Sequence, residues 1–221
     1  MSTTDRPTQT QAHSPAALRP WHLLALAGSA GLAGGALTSF GQSALMGGWH
    51  ALVNSAAPWV TIAFLIGLCA RGRWRLAAIA GVLSQVGLVF GYYATSELRG
   101  YPAGMAAVVI WVLAGLVAGP AYAAAGALLR HHRQLIRAAA AGLTGTVWVM
   151  EGLRFFSLAT DANSNSGPGT TAAWCYTVFG VFLPLALSRS LRERCYALLV
   201  LVVGAGVAVG ISLLIDMAFT I

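Results

Sequence analysis

Leu37 to Trp59 reads LTSFGQSALMGGWHALVNSAAPW, and this stretch decides how the chain is built. It joins two strongly apolar segments without one formal charge. It carries Thr38, Ser39, Gln42, Asn54 and Ser55 among Gly41, Gly47, Gly48 and Pro58. Such a stretch is too polar and too irregular for a plain membrane span, because backbone groups in lipid need internal partners. It reads as a partly folded-back connection on the far side of a membrane, lining whatever pocket the protein holds.

The surrounding composition supports the membrane reading. Of 221 residues, 57% are hydrophobic and 9% charged, and the mean hydropathy is +0.73. A soluble domain carries about 25% charged residues. The expected fold class is all-α, a polytopic transmembrane helix bundle in the cytoplasmic (plasma) membrane. At roughly 20 residues per span, the length allows about seven spans and no second, soluble domain. Residues 1–20 are rich in Ser, Thr, Gln and Pro and are expected to form a disordered cytoplasmic tail. Residues 21–221 are expected to form a single transmembrane helical domain. The tail holds only Arg6 and Arg19 as cations, and the apolar run after it is glycine-laden, which argues against a cleaved signal peptide.

Seven apolar segments stand out: His22 to Phe40, Ala56 to Ala70, Trp74 to Thr95, Ala103 to Leu129, Leu135 to Ser157, Thr171 to Leu187 and Cys195 to Phe219. All thirteen cations are arginines. Arg71, Arg73 and Arg75 lie on the second connection, Arg130, Arg133 and Arg137 on the fourth, and Arg189, Arg192 and Arg194 on the sixth. With Arg6 and Arg19, eleven arginines fall on one side, against Arg99 and Arg154 on the other. Cytoplasmic loops collect Arg and Lys, so the N-terminus is expected in the cytoplasm and the C-terminus outside. The net charge of +7 is then a topology signal rather than a nucleic-acid footprint. The three Arg-rich turns recur about every sixty residues, with RLAAIAG from Arg75 and RAAAAG from Arg137 opening the following helices. A repeated hairpin and an ordinary short-looped bundle both account for that spacing.

Four pairs of glycines lie four residues apart: Gly31 and Gly35, Gly87 and Gly91, Gly115 and Gly119, Gly206 and Gly210. In lipid such faces let helices approach closely. Most of these faces are expected to pack inside the bundle and one to dock another membrane subunit; the first helix stands outside the hairpin pattern, so its Gly31 and Gly35 are the expected choice. Cys69, Cys175 and Cys195 are scattered and read as small apolar fillers.

Glu151 and Arg154 are the sharpest polar feature. Counted from Ala138 at the inner end, they lie about 20 Å and 24 Å deep. Three residues apart, they share a helix face and can pair. Charges at depth face the bundle interior or water and often mark function. A structural pair, a ligand site and proton chemistry all fit. Gln42, Asn54, Tyr93 and Trp59 are expected at the same polar, aromatic outer end, whereas Gln85 is nearly alone at mid-depth. Together these residues suggest capture of a small polar molecule from outside. No HExxH, GxSxG, Walker loop or paired Asp motif is present, so no enzyme activity, cofactor or metal site is expected. His131 and His132 read as part of a solvated turn, and His50 as a surface group.

The combination of GGALTSFGQ (Gly34 to Gln42), NSAAPWVTIAFLIG (Asn54 to Gly67), an Arg-rich turn, GYY and EGLRF (Glu151 to Phe155) resembles an uncharacterised family of multi-spanning proteins from high-GC Gram-positive bacteria. The resemblance implies a small cytoplasmic-membrane protein and transfers no activity. A weaker, architectural likeness is to substrate-capture subunits of energy-coupling-factor importers, whose outer-side pocket is the feature in common; seven spans depart from that plan. The functional expectation is an integral membrane protein that binds or helps transport a small polar molecule, or alternatively a non-transporting accessory subunit of a membrane complex.

Overall fold

A computed structural model describes residues 18–53, 55–102, 104–160 and 167–220. The order is α1 (Pro20–Ala44), a 3-10 segment (Gly47–Val53), α2 (Ala56–Cys69), α3 (Trp74–Leu98), α4 (Met105–Leu128), α5 (Gln134–Thr160), α6 (Gly169–Leu187) and α7 (Leu191–Thr220). Among the described residues there is no strand. Six stretches are long and apolar enough to cross a membrane: α1, the 3-10 segment with α2, α3, α4, α6 and α7. α5, long enough but more polar, packs against α6, α7, α4 and α2. The bundle is thus graded. Its most apolar helix, α7, is the least buried, and its least apolar one is enclosed.

Two helices organise the packing, α3 with α1, α4 and α2, and α5 with α6 and α7. Glycine permits each crossing. A Cβ on Gly31 or Gly35 would collide with the Ser84 or Leu88 carbonyl oxygen, and one on Gly91 with that of Leu32. Gly119 and Gly81 meet across α3 and α4, and a side chain on Gly67 or Gly126 would strike the facing backbone of α4 or α2. Dispersion between close backbones replaces the hydrophobic effect that lipid does not supply.

Most of the glycine pairs therefore pack inside the bundle as expected, but the free pair is not the one on the first helix. Gly31 and Gly35 are buried against α3, so the first helix has no free glycine face for a partner. Gly87 and Gly115 also pack within the bundle. Gly206 and Gly210 do not, since no atom lies within 4 Å of where their Cβ would stand. The reason is that α7 lies at the edge, mainly against α5, and turns this face outward.

The Arg-rich turns share one end. Arg73 donates to the Leu18 carbonyl at 2.5 Å, and Gly72 N donates to Ala127 O at 3.1 Å. Gln134 Nε2 reaches Ser190 Oγ at 3.3 Å, tying the α4–α5 turn to the α6–α7 turn. Arg71 and Gly72 take left-handed φ of 47° and 84°, which lets α2 reverse into α3 between Ala70 and Arg73.

At the other end α1 runs on to Ala44, so Thr38, Ser39 and Gln42 are helical rather than part of a connection. Their polarity is absorbed locally. Thr38 Oγ1 donates to Gly34 O at 2.7 Å, and Ser39 Oγ shares a hydrogen bond with Ser96 Oγ of α3 at 2.9 Å. Between α1 and α2 the 3-10 segment Gly47–Val53 packs on α1 and α6.

Candidate functional site

α2 has 14 residues and a length of about 21 Å, less than the roughly 30 Å of a hydrocarbon core. Its N-terminus therefore begins inside the bundle, where unpaired N–H groups are costly. Pro58 has no N–H to satisfy. Glu151, 8% exposed on α5, takes the two donors before it: Ala56 N donates to Oε1 at 2.8 Å and Ala57 N to Oε2 at 2.9 Å. A carboxylate at a helix N-terminus is also favoured by the helix dipole. Ser55 precedes the helix, and its hydroxyl shares a hydrogen bond with Tyr176 OH of α6 at 2.9 Å. Trp148 Nε1 donates to Thr61 Oγ1 at 3.2 Å, one turn further along α2. Three helices thus converge on one buried polar knot.

Above that knot lies a niche of about 320 Å³ between the 3-10 segment, α5 and α6. Gly48, Trp49 and Leu52 form one wall, and Trp148, Tyr176 and Phe179 the other. A Cβ on Gly48 would meet the Pro168 carbonyl oxygen, so glycine lets the segment sit close to the start of α6. The lining is almost wholly apolar. It continues along the outward face of α6 as a shallower trough past Trp174, Val178 and Phe182, with Cys175 and Phe179 common to both. A third depression, of about 660 Å³, includes Glu97, Gly100 and Pro102 and is shallow and open.

The expected site residues fall in separate places. Glu151 and Arg154 do not pair. Arg154 Nη2 instead reaches Asp216 Oδ1 of α7 at 2.9 Å, and its Nη1 donates to Ser212 Oγ at 3.1 Å. The shared helix face permitted a pair, but Glu151 has two aligned backbone donors and Arg154 a carboxylate on the neighbouring helix. Gln42, Trp59 and Tyr93 gather elsewhere, around Tyr92. Gln42 Nε2 donates to Tyr92 OH at 2.8 Å, and the Tyr92 ring centroid lies 4.9 Å from that of Tyr93 and 5.8 Å from that of Trp59. Trp59 also packs on Trp111 at 5.7 Å, so its ring belongs to an internal aromatic cluster rather than to a free stacking surface. Gln85 is not isolated, since its Nε2 donates to the Trp59 carbonyl at 2.9 Å. Asn54, Asp161, Asn163 and Asn165 lie outside the described residues.

A model of a family of unknown function, DUF6518, matches residues 14–218. The chain belongs to this family. Neither a curated protein nor a solved structure matches it. The expectation of an uncharacterised family thus holds, and with six span-like stretches the member described here is an integral membrane protein.

Some residues of this family member do more than the sequence suggested. Arg137, expected as one more loop cation, forms a two-pronged ion pair with Glu193 of α7, its Nε and Nη2 each 3.2 Å from a carboxylate oxygen. Glu193 is 1% exposed and also accepts from Arg189 N. The available signal was the one acid inside SRSLRERC. Arg99 likewise binds the Ser39 carbonyl and the Ser43 hydroxyl, and it lies over the Phe40 and Tyr101 rings, locking α3 to α1. His131 and His132 lie in a turn with their rings stacked 4.2 Å apart, instead of diverging as they would on a helix. Cys175 and Cys195 are exposed and fill no core space, while Cys69 is half-buried. Among the described residues, no group of three His, Cys, Asp or Glu side chains is placed to hold a metal ion.

Proposed function

We propose that this membrane protein binds a small amphipathic molecule, its apolar part lodged in the niche between the 3-10 segment, α5 and α6. The observation that carries the reading is the niche itself: a concavity of about 320 Å³, apolar and aromatic, with Tyr176 the one hydroxyl-bearing residue in its wall. That volume is at the lower end for small-molecule sites, fitting a compact ligand or a segment of a longer chain. The same observation favours an apolar or amphipathic ligand over the purely polar one expected from the residues. Glu151 and Arg154 already have protein partners, and Gln42, Tyr93 and Trp59 pack among themselves and their neighbours. With the arginine end in the cytoplasm, the niche opens toward the outer half of the membrane.

The test is ligand-dependent thermal stabilisation of the detergent-solubilised protein across two panels, one of short-chain acyl and isoprenoid amphiphiles and one of polar metabolites. Stabilisation of several degrees by an amphiphile, lost in Cys175→Trp, supports the reading. A response confined to polar metabolites, or one untouched by Cys175→Trp, refutes it.

One observation favours the accessory-subunit reading. The outward face of α7 carries Gly206 and Gly210 with open space before them. Assembly with another membrane protein would then run through the last helix rather than the first. Loss of a co-purifying subunit on Gly206→Leu, with Gly31 unchanged, separates this reading from ligand binding.

A further inference from the structure

The arginine end has far more positive charge than the fold uses. Arg137 is paired with Glu193, and Arg73 donates to the Ala70 and Leu18 carbonyls. Beyond these, Arg71 and Arg75 on the first turn, Arg130 and Arg133 on the second, and Arg189, Arg192 and Arg194 on the third are all exposed. None of their guanidinium groups is ion-paired with a carboxylate among the described residues. Glu193 is the one acid among the described residues at this end, and Arg137 consumes it. α1, α3, α5 and α7 also point their N-termini here, and none of the first three has an acid in its first turn, so the helix dipoles add positive potential. Contacts between the turns make these charges one continuous floor: Gly72 with Ala127, and Gln134 with Ser190.

We infer that this floor is a docking surface for the anionic headgroups of phospholipids. Charge complementarity supplies the attraction, and the geometry selects lipid over an acidic protein. The turns Ala70–Arg73, Leu129–Arg133 and Ser188–Ser190 are too short to stand off the membrane, so their cations lie at headgroup level. Exposed Trp21 and Trp74 mark that level as interfacial. Arg75 lies 5.3 Å from the Trp74 ring centroid, and Arg192 donates to Tyr196 OH at 3.3 Å, so both cations lie against aromatic side chains at this end. Guanidinium forks match phosphate oxygens two at a time.

The experiment incubates the full-length purified protein with equimolar phosphatidylglycerol and phosphatidylcholine and counts retained lipids by native mass spectrometry. At low salt the wild type should prefer phosphatidylglycerol by about ten-fold, given the attraction of each basic group to an anionic surface. The preference should collapse at about 0.5 M salt, where screening is strong. The variant R189Q/R192Q/R194Q should lose at least about three-fold of it, and R189K/R192K/R194K, which keeps the charge but not the fork, should restore part of it. The salt series on wild type decides the matter even if the glutamine variant fails to fold. Equal retention of the two lipids at low salt overturns the proposal. So does salt-labile capture of polyglutamate by protein already embedded in phosphatidylglycerol nanodiscs, which would assign the floor to an acidic polypeptide.

Discussion

Replacing Glu151 with Ala isolates the role of the α2 cap. The substitution strands a part-buried donor, Ala56 N, and a buried one, Ala57 N, which now sit 2.8 and 2.9 Å from the carboxylate oxygens. Hydrogen bonds to a charged group contribute about 1.5–3 kcal/mol each, and an unsatisfied buried donor costs about 1–3 kcal/mol. Removing the carboxylate also relieves the desolvation of a buried charge, which offsets part of the loss. The net destabilisation should therefore be about 2–4 kcal/mol. Glu151→Gln keeps one acceptor and should lose about half as much. Reversible unfolding in mixed detergent micelles measures the total, while hydrogen exchange at Ala56 and Ala57 reports the cap itself. Both amides should lose protection in the alanine variant, with exchange at the Arg137–Glu193 end unchanged. An alanine variant that unfolds like the wild type and keeps both amides protected would refute the cap.

The other ion pairs should separate by burial. Arg137→Ala or Glu193→Ala leaves an uncompensated buried charge and should cost about 3–5 kcal/mol; the double variant should lose clearly less than the sum, as a double-mutant cycle on unfolding free energies would show. Arg154→Ala or Asp216→Ala, in a pair whose side chains are each nearly half exposed, should cost at most about 1 kcal/mol by the same measurement. Gly67→Ala places a methyl group against the Ala123 carbonyl and should lower the melting temperature by several degrees, whereas Gly206→Ala meets open space and should be neutral or slightly stabilising. Equal effects at the two glycines would contradict the packing of α2 on α4.

Much of this architecture is legible in local sequence. Apolar run lengths place the helices to within a few residues, and the arginines between Ala70 and Arg75, Arg130 and Arg137, and Arg189 and Arg194 gather at one end. What escapes is partner choice. Spacing says that Glu151 and Arg154 share a face, but it cannot say that α2 starts within reach of one and α7 ends beside the other. The same gap explains the glycines, because four identical spacings hide three packed faces and one free one. Polar residues in 37–59 mislead for a related reason. Thr38 and Ser39 look like loop formers, yet each finds an oxygen on its own helix or on α3, so α1 continues through them. Side-chain hydrogen bonding to nearby backbone is invisible to a hydropathy count.

The cap and the niche are consequences of one arrangement. α2 is short because its first donors are met by Glu151 rather than by water at the membrane surface. A helix that starts at depth obliges the chain before it to fold back, and the 3-10 segment Gly47–Val53 is that return, held near α6 at Gly48 and Pro168. Its inner side, with Trp49 and Leu52, then faces Trp148 and Tyr176 across the niche. Glu151 does not line that space, yet it positions the wall. Two variants should accordingly behave differently in the amphiphile assay. Cys175→Trp should abolish ligand stabilisation while leaving the unliganded melting temperature within about a degree, since an exposed residue carries little of the stability. Glu151→Gln should lower both together. If Glu151→Gln destabilised the protein but bound amphiphile as tightly as before, the niche would owe nothing to the cap, and the folded-back segment would have to be held by its own contacts with α1 and α6.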